Sequence, residues 1–286
     1  MAKQIYVPSF DGTELFVENE GSGFPIVLSD GIGCDGFIWR HIVAALAPRY
    51  RMIHWHYRGH GKSKPPVDRS RVDMEALTSD LHAVLDALGI ERAVLLGHSM
   101  GVQVVLDYAL RYPQRVAGVV PICGSYGRPL DTFHDAGWLG AVFPYVREVV
   151  SRWPGPAQWL WTHTVGSELA YRYATLVEVD GGLVRREEFK PYFEHMQQMD
   201  VMLFIRMLDA VQNHSVEDRL QEITAPALII AGDRDKFTPV WLSRRMQRLM
   251  PKAELLVVPR GTHVAPIEVP ELIELRLERF LAPLAS

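Results

Sequence analysis

The chain has little cysteine and lacks any long apolar run. Its 286 residues include 2 cysteines, Cys34 and Cys123, which are too few for a disulfide framework. Proteins without such a framework are typical of a reducing compartment, so we expect a cytoplasmic protein. No apolar run reaches the roughly 18 residues that a membrane-spanning helix needs, and residues 1–8 contain no apolar signal core. These absences predict a protein that neither crosses nor binds a membrane.

The chain also lacks a strong net charge and the short motifs that hold cofactors. Its formal net charge is -4 at pH 7, which gives no electrostatic reason to expect nucleic acid or an anionic membrane as a partner. Phosphate-binding loops, dinucleotide fingerprints and metal motifs are missing. The histidines His54, His56 and His60 have no carboxylates at ligand spacing. We therefore expect chemistry without a cofactor or a metal, on a small-molecule substrate, by a monomer or a small homo-oligomer.

The composition that remains is that of an ordinary globular domain. Hydrophobic residues make up 48% of the chain and charged residues 22%, both common values for such proteins. A chain of this length buries about three quarters of the surface that it exposes when unfolded. One α/β domain with an insertion fits this length better than two independent domains.

Short apolar runs alternate with helical patterns through the first part of the chain. Asp11-Gly12 is a hairpin turn signal between the first two runs. Amphipathic spacing predicts helices over 37–46 and 73–88, the second of which ends at Gly89. The predicted strands are 5–8, 14–18, 26–28, 51–55, 93–96 and 116–120, with later ones at 225–232 and 254–258. Continuous apolar strands between helices indicate an α/β protein with a mostly parallel central sheet and helices on both faces.

The alternation stops after residue 124 and returns near residue 225. The stretch between holds no convincing strand. Its helical patterns cover 138–153, 157–177 and 186–212, and its breakers are Pro144, 154–156 and 180–182. We therefore assign 1–124 and 220–286 to an α/β core. We assign 125–219 to an all-helical cap over the end of the sheet where the strand-to-helix loops gather.

The most informative stretch is Gly97-His98-Ser99-Met100-Gly101. An apolar strand pattern precedes it and a helical pattern over 102–110 follows it. In that context the G-x-S-x-G motif predicts a nucleophile elbow, in which Ser99 sits on a sharp turn between strand and helix. The alternative is an exposed serine in a glycine-rich loop, which the flanking strand and helix argue against.

A serine hydroxyl is a weak nucleophile that needs a base, and the base needs an orienting carboxylate. The strand that ends at Gly232 is followed by two acids, Asp233 and Asp235. The last predicted strand is followed by His263. The order Ser99, Asp235, His263 is the one found with such elbows. Asp233 competes for the place of the acid, and its other interpretation is a residue that caps or braces the loop.

Together these motifs resemble the α/β-hydrolase superfamily, in the type that carries a helical cap and acts as a serine esterase. The resemblance covers nearly the whole chain. It rests on the elbow, the R-G-x-G-x-S turn at 58–63, the G-x-x-D motif with a later proline at 232–239, and the G-x-H turn at 261–263. It implies the α/β-hydrolase fold with an inserted cap. It also implies that Ser99, His263 and Asp235 form a catalytic triad, because Asp235 occupies the family's G-x-x-D position.

The resemblance further implies an oxyanion hole made of two backbone N–H groups. One belongs to Met100, and the other belongs to Ile32 in the loop Asp30-Gly31-Ile32-Gly33. Family members usually have His-Gly-x-Gly in this loop, so Asp30 departs from the pattern. Because a carboxylate near an oxyanion is unfavourable, we expect Asp30 to point away and to accept N–H bonds from its own loop. Drift at a tolerant position is the alternative.

The predicted cap is rich in large, soft apolar residues. Such a cap above a serine elbow predicts an apolar, adaptable pocket rather than a carboxylate clamp. The candidate pocket residues are Trp138, Trp159, Met199, Met202 and Leu203. The helical spacing of the last three also fits a stripe that packs the core.

These features predict a serine hydrolase that cleaves small or medium apolar carboxylic esters through an acyl-serine. The same triad also supports C–C bond hydrolysis, lactone opening, acyl transfer or perhydrolysis. Some members of the superfamily are small-molecule receptors that do not turn over a ligand. Labelling of the serine by a fluorophosphonate would separate the enzymes from the receptors.

Overall fold

A single sheet of eight strands organises the protein, which is described by a computed structural model over residues 2–135, 137–177 and 186–285. The strands are β1 (Lys3–Pro8), β2 (Glu14–Glu20), β3 (Pro25–Ser29), β4 (Arg51–Trp55), β5 (Ala93–His98), β6 (Val116–Ile122), β7 (Ala227–Gly232) and β8 (Ala253–Val258). Their order across the sheet is β1-β2-β4-β3-β5-β6-β7-β8. The first two strands form an antiparallel hairpin around Gly12, whose φ of 84° suits a glycine in a tight turn.

All strands from β3 onward run parallel, and this direction gathers their carboxyl ends at one edge. β3 pairs in parallel with both β4 and β5, and the remaining neighbours continue to β8 in the same sense. β2 joins β4 antiparallel. The loops that follow β3, β5, β7 and β8 therefore meet at the same edge, where ligands bind in open α/β sheets.

Helices cover both faces of the sheet. Those of the core are α1 (Arg40–Leu46), α2 (Met74–Ala87), α3 (Met100–Arg111), α9 (Val240–Leu249), α10 (Ala265–Glu268) and α11 (Pro270–Leu281). Alternate strand residues belong to two separate buried clusters. Leu95 packs with α2, α3 and α9, whereas its neighbour Leu96 packs with α1 and α11. Successive residues of each strand thus point to opposite faces of the sheet and pack into two apolar layers, one on each face. This arrangement confirms the predicted fold class.

Helices α4 (Trp138–Arg152), α5 (Pro154–Val165), α6 (Glu168–Val177), α7 (Arg186–Gln198) and α8 (Val201–Gln212) lie between β6 and β7 in the chain. The sequence predicts fewer, longer helices here, and two of those predictions are wrong. The helix over 157–177 is interrupted at Gly166. The helix over 186–212 is interrupted at Asp200, whose side chain accepts the N–H groups at the start of α8. The breaker at 180–182 lies outside the described residues.

Within the part of the chain that the structure describes, no helix combines the length and the apolar composition needed to cross a membrane. The longest helix of the insertion, α4, runs from Trp138 to Arg152 and has a single buried residue, Phe143.

Candidate active site

Ser99 lies on the turn that joins β5 to α3. Its φ of 54° and ψ of -116° are unusual for a residue with a side chain and store backbone strain at this position. A Cβ on Gly97 would collide with the Gly101 carbonyl, and a Cβ on Gly101 would collide with the Ser29 carbonyl. Only glycine therefore fits on either side of the serine, so the G-x-S-x-G spacing follows from the close approach of strand, turn and helix.

A continuous chain of hydrogen bonds joins the serine to a histidine and a carboxylate. The His263 Nε2 lies 2.9 Å from the Ser99 Oγ. The His263 Nδ1 lies 3.0 Å and 3.2 Å from the two Asp235 oxygens. These three side chains come from the loops after β5, β8 and β7, which share one edge of the sheet. The arrangement can accept a proton at Nε2 and hold the resulting imidazolium against a carboxylate.

Asp235 is held in place as an ionised group. Its carboxylate accepts the Phe237 N–H and the Thr238 N–H, each at 2.9 Å, and the Thr238 hydroxyl at 2.8 Å. Burial opposes the charge, but the His263 charge and these hydrogen bonds outweigh it and lower the pKa of Asp235 below its ordinary value. The competing acid, Asp233, is exposed. Asp235 is therefore the acid that the fold brings to the histidine.

Glu268, which none of the sequence predictions includes, fixes the turn that carries His263. Its carboxylate accepts the Thr262 N–H at 2.6 Å and the Thr262 hydroxyl at 2.7 Å, beside His263. The pair is buried. The Thr262-to-Glu268 spacing places the acid on the short helix α10 just after the turn, but no motif marks it.

His98 packs beside the candidate base without competing with it. Its Nε2 lies 2.8 Å from the His263 carbonyl oxygen. Burial, together with the nearby His263, lowers the pKa of His98 to about 4. The His98 ring is therefore neutral at neutral pH and packs beside the base without taking its place.

Ile32 and Met100 both line the cavity that opens at Ser99. Met100 is the first residue of α3, so its N–H has no intrahelical partner. The turn that carries Ile32 is closed by the Cys34 N–H, which donates to the Gly31 carbonyl at 3.2 Å. The Ile32 N–H takes no part in the hydrogen bond that closes this turn. The two N–H groups are thus candidates for binding a developing oxyanion.

Asp30 is buried and anchors the Ile32 loop through side chains from other elements. The Trp39 Nε1–H donates to one carboxylate oxygen at 2.6 Å, and the His54 Nε2 lies 2.8 Å from the other. The Tyr57 hydroxyl donates to the Asp30 carbonyl at 2.8 Å. The prediction that loop N–H groups occupy the carboxylate is therefore wrong. Trp39 and His54 approach from the segment before α1 and from β4, and only the folded sheet brings them together.

The charge of Asp30 is stabilised by the same neighbours. Burial raises the pKa of Asp30, but the His54 charge and hydrogen bond and the Trp39 hydrogen bond outweigh this and leave it lowered. Burial lowers the pKa of His54, and the Asp30 charge and hydrogen bond more than reverse this and raise it. The two groups therefore behave as an ion pair behind the loop, and Asp30 does not present a free carboxylate to Ser99.

Two apolar cavities meet at Ser99. The larger has a volume of about 750 Å³ and the smaller about 340 Å³. Their shared wall consists of Ile32, Ser99, Phe133, Tyr192 and Phe237. His263 lines only the larger cavity, and Met100 lines only the smaller. Among the described residues, no lysine or arginine lines either cavity, so none of these residues offers a permanent positive charge to an anionic ligand.

The five predicted pocket residues lie elsewhere. Trp138 and Trp159 are 63% and 62% exposed on the outside of the helices. Met199 is buried within the insertion, and Met202 and Leu203 line a small separate cleft. The prediction is wrong because richness in apolar residues does not reveal which face of each helix turns toward the serine.

Helix α7 supplies much of the apolar wall instead. Phe189, Tyr192, Phe193 and Met196 all line the larger cavity. Phe189 and Met196 each lie three and four residues from the adjacent pair Tyr192 and Phe193, which is the pattern of one apolar helix face. This stripe was visible in the sequence and would have identified the cavity wall. Met196 also covers Gly33, where any side chain would collide with its sulfur.

Comparisons with known proteins agree with this architecture. The sequence model of the alpha/beta hydrolase fold family matches residues 25–270. A 2-hydroxy-6-oxononadienedioate/2-hydroxy-6-oxononatrienedioate hydrolase of Burkholderia vietnamiensis is 32% identical, over 95% of this chain and 92% of that one. A putative carbamate hydrolase of Azorhizobium caulinodans is 28% identical over 91% of each chain.

A solved structure shows the same fold at lower identity. The enol-lactonase from Burkholderia xenovorans LB400 superposes with a TM-score of 0.79 at 23% identity, and the match covers 97% of this chain and 99% of that one. The family match extends from β3 to the start of α11 and includes every group of the site described above. The chain belongs to the α/β-hydrolase fold family.

Proposed function

We propose that the protein is a serine hydrolase that cleaves small or medium apolar carboxylic esters through an acyl-serine intermediate. The observation that carries this proposal is the hydrogen-bonded chain from Ser99 through His263 to Asp235, located where two apolar cavities meet. A hydroxyl paired with a base and an oriented carboxylate is the arrangement that acyl transfer requires.

In the first half of the reaction, the Ser99 Oγ attacks the ester carbonyl and His263 Nε2 takes the hydroxyl proton. The Asp235 carboxylate stabilises the imidazolium that results. The N–H groups of Ile32 and Met100 donate to the oxygen that becomes negative. Each such donor typically contributes about 10²–10³ in rate.

The position of His263 gives the two cavities different tasks. The leaving alcohol must receive its proton from His263 Nε2, so it departs on the side where this histidine lines the wall. That side is the larger cavity. The acyl group then occupies the smaller cavity, beside Met100. Water follows the alcohol into the larger cavity, where it loses a proton to His263 as its oxygen bonds to the acyl carbon. The bond from that carbon to the Ser99 Oγ then breaks, His263 returns the proton to the Ser99 Oγ, and the acid leaves.

The walls favour an uncharged substrate. A diacid, the class that the name of the Burkholderia vietnamiensis relative gives for its substrate, carries carboxylates that need cationic or donor partners. Among the described residues neither cavity offers a lysine or an arginine. C–C bond hydrolysis on the same triad is the second candidate, favoured by this relative's 32% identity. An apolar ester fits the cavities better.

Fluorophosphonate labelling combined with a series of p-nitrophenyl esters, from acetate to octanoate, tests the proposal. We expect the wild type to be labelled and to hydrolyse the esters, and Ser99→Ala to do neither. Ser151→Ala, which removes an exposed hydroxyl on α4, is the matched control and keeps both properties. Tight binding of an ester analogue without labelling or turnover would indicate a receptor instead.

A further inference from the structure

The outward face of α4 is apolar and exposed. Its side chains, together with the residue that follows the helix, are between 42% and 73% exposed, and we call this set the α4 stripe: Trp138, Val142, Tyr145, Val146, Val149 and Trp153. On the opposite face of the helix, Phe143 is buried and Arg147 pairs with Asp209 of α8 at 2.7 Å. The stripe is therefore not part of the packing between the insertion helices.

The spacing of the α4 stripe is that of a helix that packs along another helix. Most of its members follow one another at intervals of three or four residues, which keeps them on one narrow face over the length of α4. Trp153 stays in register because its N–H still bonds to the Val149 carbonyl at 3.0 Å. An apolar seam of this kind is built to be covered lengthwise by a second helix.

The α4 stripe is also symmetric about its own centre. From the peptide bond between Tyr145 and Val146, Val142 and Val149 are equally far along the chain in opposite directions, and so are Trp138 and Trp153. An antiparallel pairing of this helix with its own copy therefore places Trp138 against Trp153, Val142 against Val149 and Tyr145 against Val146. Self-complementarity of this type is what a two-fold interface requires.

The area and the charge agree with a second copy as the partner. The three aromatic rings of the stripe, at well over half exposure, present roughly 300–500 Å² per chain. With the three valines and the flanking residues, this approaches the roughly 800 Å² per partner of a standard interface. The exposed charges of α4 are of both signs, Arg147, Glu148 and Arg152, so no basic cluster directs this face to an anionic bilayer.

We propose that the protein forms a symmetric dimer in which the α4 stripes of two copies pack antiparallel. Trp138 of one protomer then packs beside the partner's Trp153, and Val142 packs beside the partner's Val149. The interface belongs to the insertion and leaves the edge of the sheet that carries Ser99 outside the contact.

Sedimentation equilibrium on single and paired charge variants tests this arrangement. We expect the wild type to form a concentration-dependent dimer. Val142→Lys and Val149→Glu should each weaken the dimer about tenfold or more, because a charge is buried against an apolar partner. The double variant V142K/V149E should restore dimerisation, because each lysine then faces the partner's glutamate. Val67→Lys, at an exposed valine of the core, is the control and should leave the dimer unchanged.

The other outcomes overturn the proposal in distinguishable ways. If the double variant stays as monomeric as the single variants, the antiparallel arrangement is wrong, since a parallel pairing would place like charges together. If the wild type is monomeric at all concentrations but floats with phosphatidylcholine vesicles, the α4 stripe binds a lipid surface instead. Circular dichroism of each variant verifies that these exposed substitutions leave the fold intact.

Discussion

The strands of the core and the helices α4 and α5 of the insertion differ sharply in how far their residues are buried. Strand residues such as Leu95 and Ile229 are completely buried, and each strand feeds two apolar layers. By contrast, α5 has no buried residue and α4 has only Phe143. All the groups of the proposed triad and oxyanion hole belong to the core, whereas α7 provides much of the cavity wall. We therefore expect substitutions in the core to alter the proposed reaction and substitutions in α7 to alter substrate preference.

The largest expected effect is on the core side of this comparison. Ser99→Ala removes the attacking oxygen and should lower kcat by about 10⁴-fold or more. Steady-state hydrolysis of p-nitrophenyl butyrate measures it. Retention of near wild-type turnover would contradict the assignment of chemistry to the core.

Asp235→Asn should follow in size, with a loss of about 10³–10⁴ in kcat, because the asparagine no longer stabilises the imidazolium of His263. Asp233→Asn is the matched control, since Asp233 is exposed in the same loop, and it should leave kcat unchanged. If only the Asp233 variant is inactive, the acid has been assigned to the wrong residue.

Asp30→Asn should lower kcat by about 10–100-fold, less than the complete loss of an oxyanion donor, with little change in KM. The reason is that the asparagine weakens the anchor of the loop that carries Ile32, through Trp39 and His54. The kcat and KM of a short ester measure the effect. An Asp30→His variant with wild-type kinetics would support drift at a tolerant position instead.

On the insertion side, Tyr192→Ala should change substrate preference rather than chemistry. Tyr192 lines both cavities, so kcat/KM for long-chain esters should fall about tenfold while that for the acetate changes little. Trp159→Ala, on the exposed face of α5, should change neither. Equal losses for short and long esters would mean that the insertion also supports the chemistry.

The smallest expected effect is a pH-dependent stability of the core. The pKa of His54 is raised above its ordinary value of 6.5, so its contribution is complete below that pH and is lost as the pH rises through the folded value. The pKa of Asp30 is lowered below 3.8, so its contribution is lost only as the pH falls through the folded value.

The Asp30–His54 ion pair should therefore stabilise the protein most between pH 3.8 and pH 6.5, the ordinary pKa values of its two groups. His54→Gln should lower the free energy of unfolding by about 1 kcal/mol near pH 5 and by less at pH 9. Urea unfolding at both pH values measures the difference, with His163→Gln, at an exposed position of α5, as control. A deficit that grows with pH would have the wrong sign for this ion pair.

The core was predictable from sequence because its constraints are local. The elbow needs Gly97 and Gly101 for steric reasons that any strand–turn–helix imposes, and the loops after consecutive parallel strands must share an edge. These rules predict that the loop of Ser99 meets the loops of His263 and of the two acids Asp233 and Asp235, and the resemblance to the α/β-hydrolase superfamily selects Asp235. The turn signal at Asp11-Gly12, with an apolar run on each side, likewise predicts the first two β-strands.

The rest depends on long-range packing that local patterns do not encode. The partners of Asp30 are Trp39 and His54, which converge only in the folded sheet. Glu268 braces its turn without a motif. In the insertion, apolar residues occur on all faces, so Trp138 and Trp159 were mistaken for pocket residues although they point outward. The helical periodicity of the apolar residues in α7 indicates the cavity wall better than the abundance of tryptophan and methionine in the insertion does.

The central claim is that the Ser99 hydroxyl forms a covalent acyl intermediate. Rapid quenching of the enzyme with p-nitrophenyl butyrate, followed by mass spectrometry of the digested protein, tests it most directly. We expect a butyryl group on the peptide that contains Ser99 and none in the Ser99→Ala variant. Steady hydrolysis with no acylated peptide at any quench time, or acylation of another residue, would contradict it.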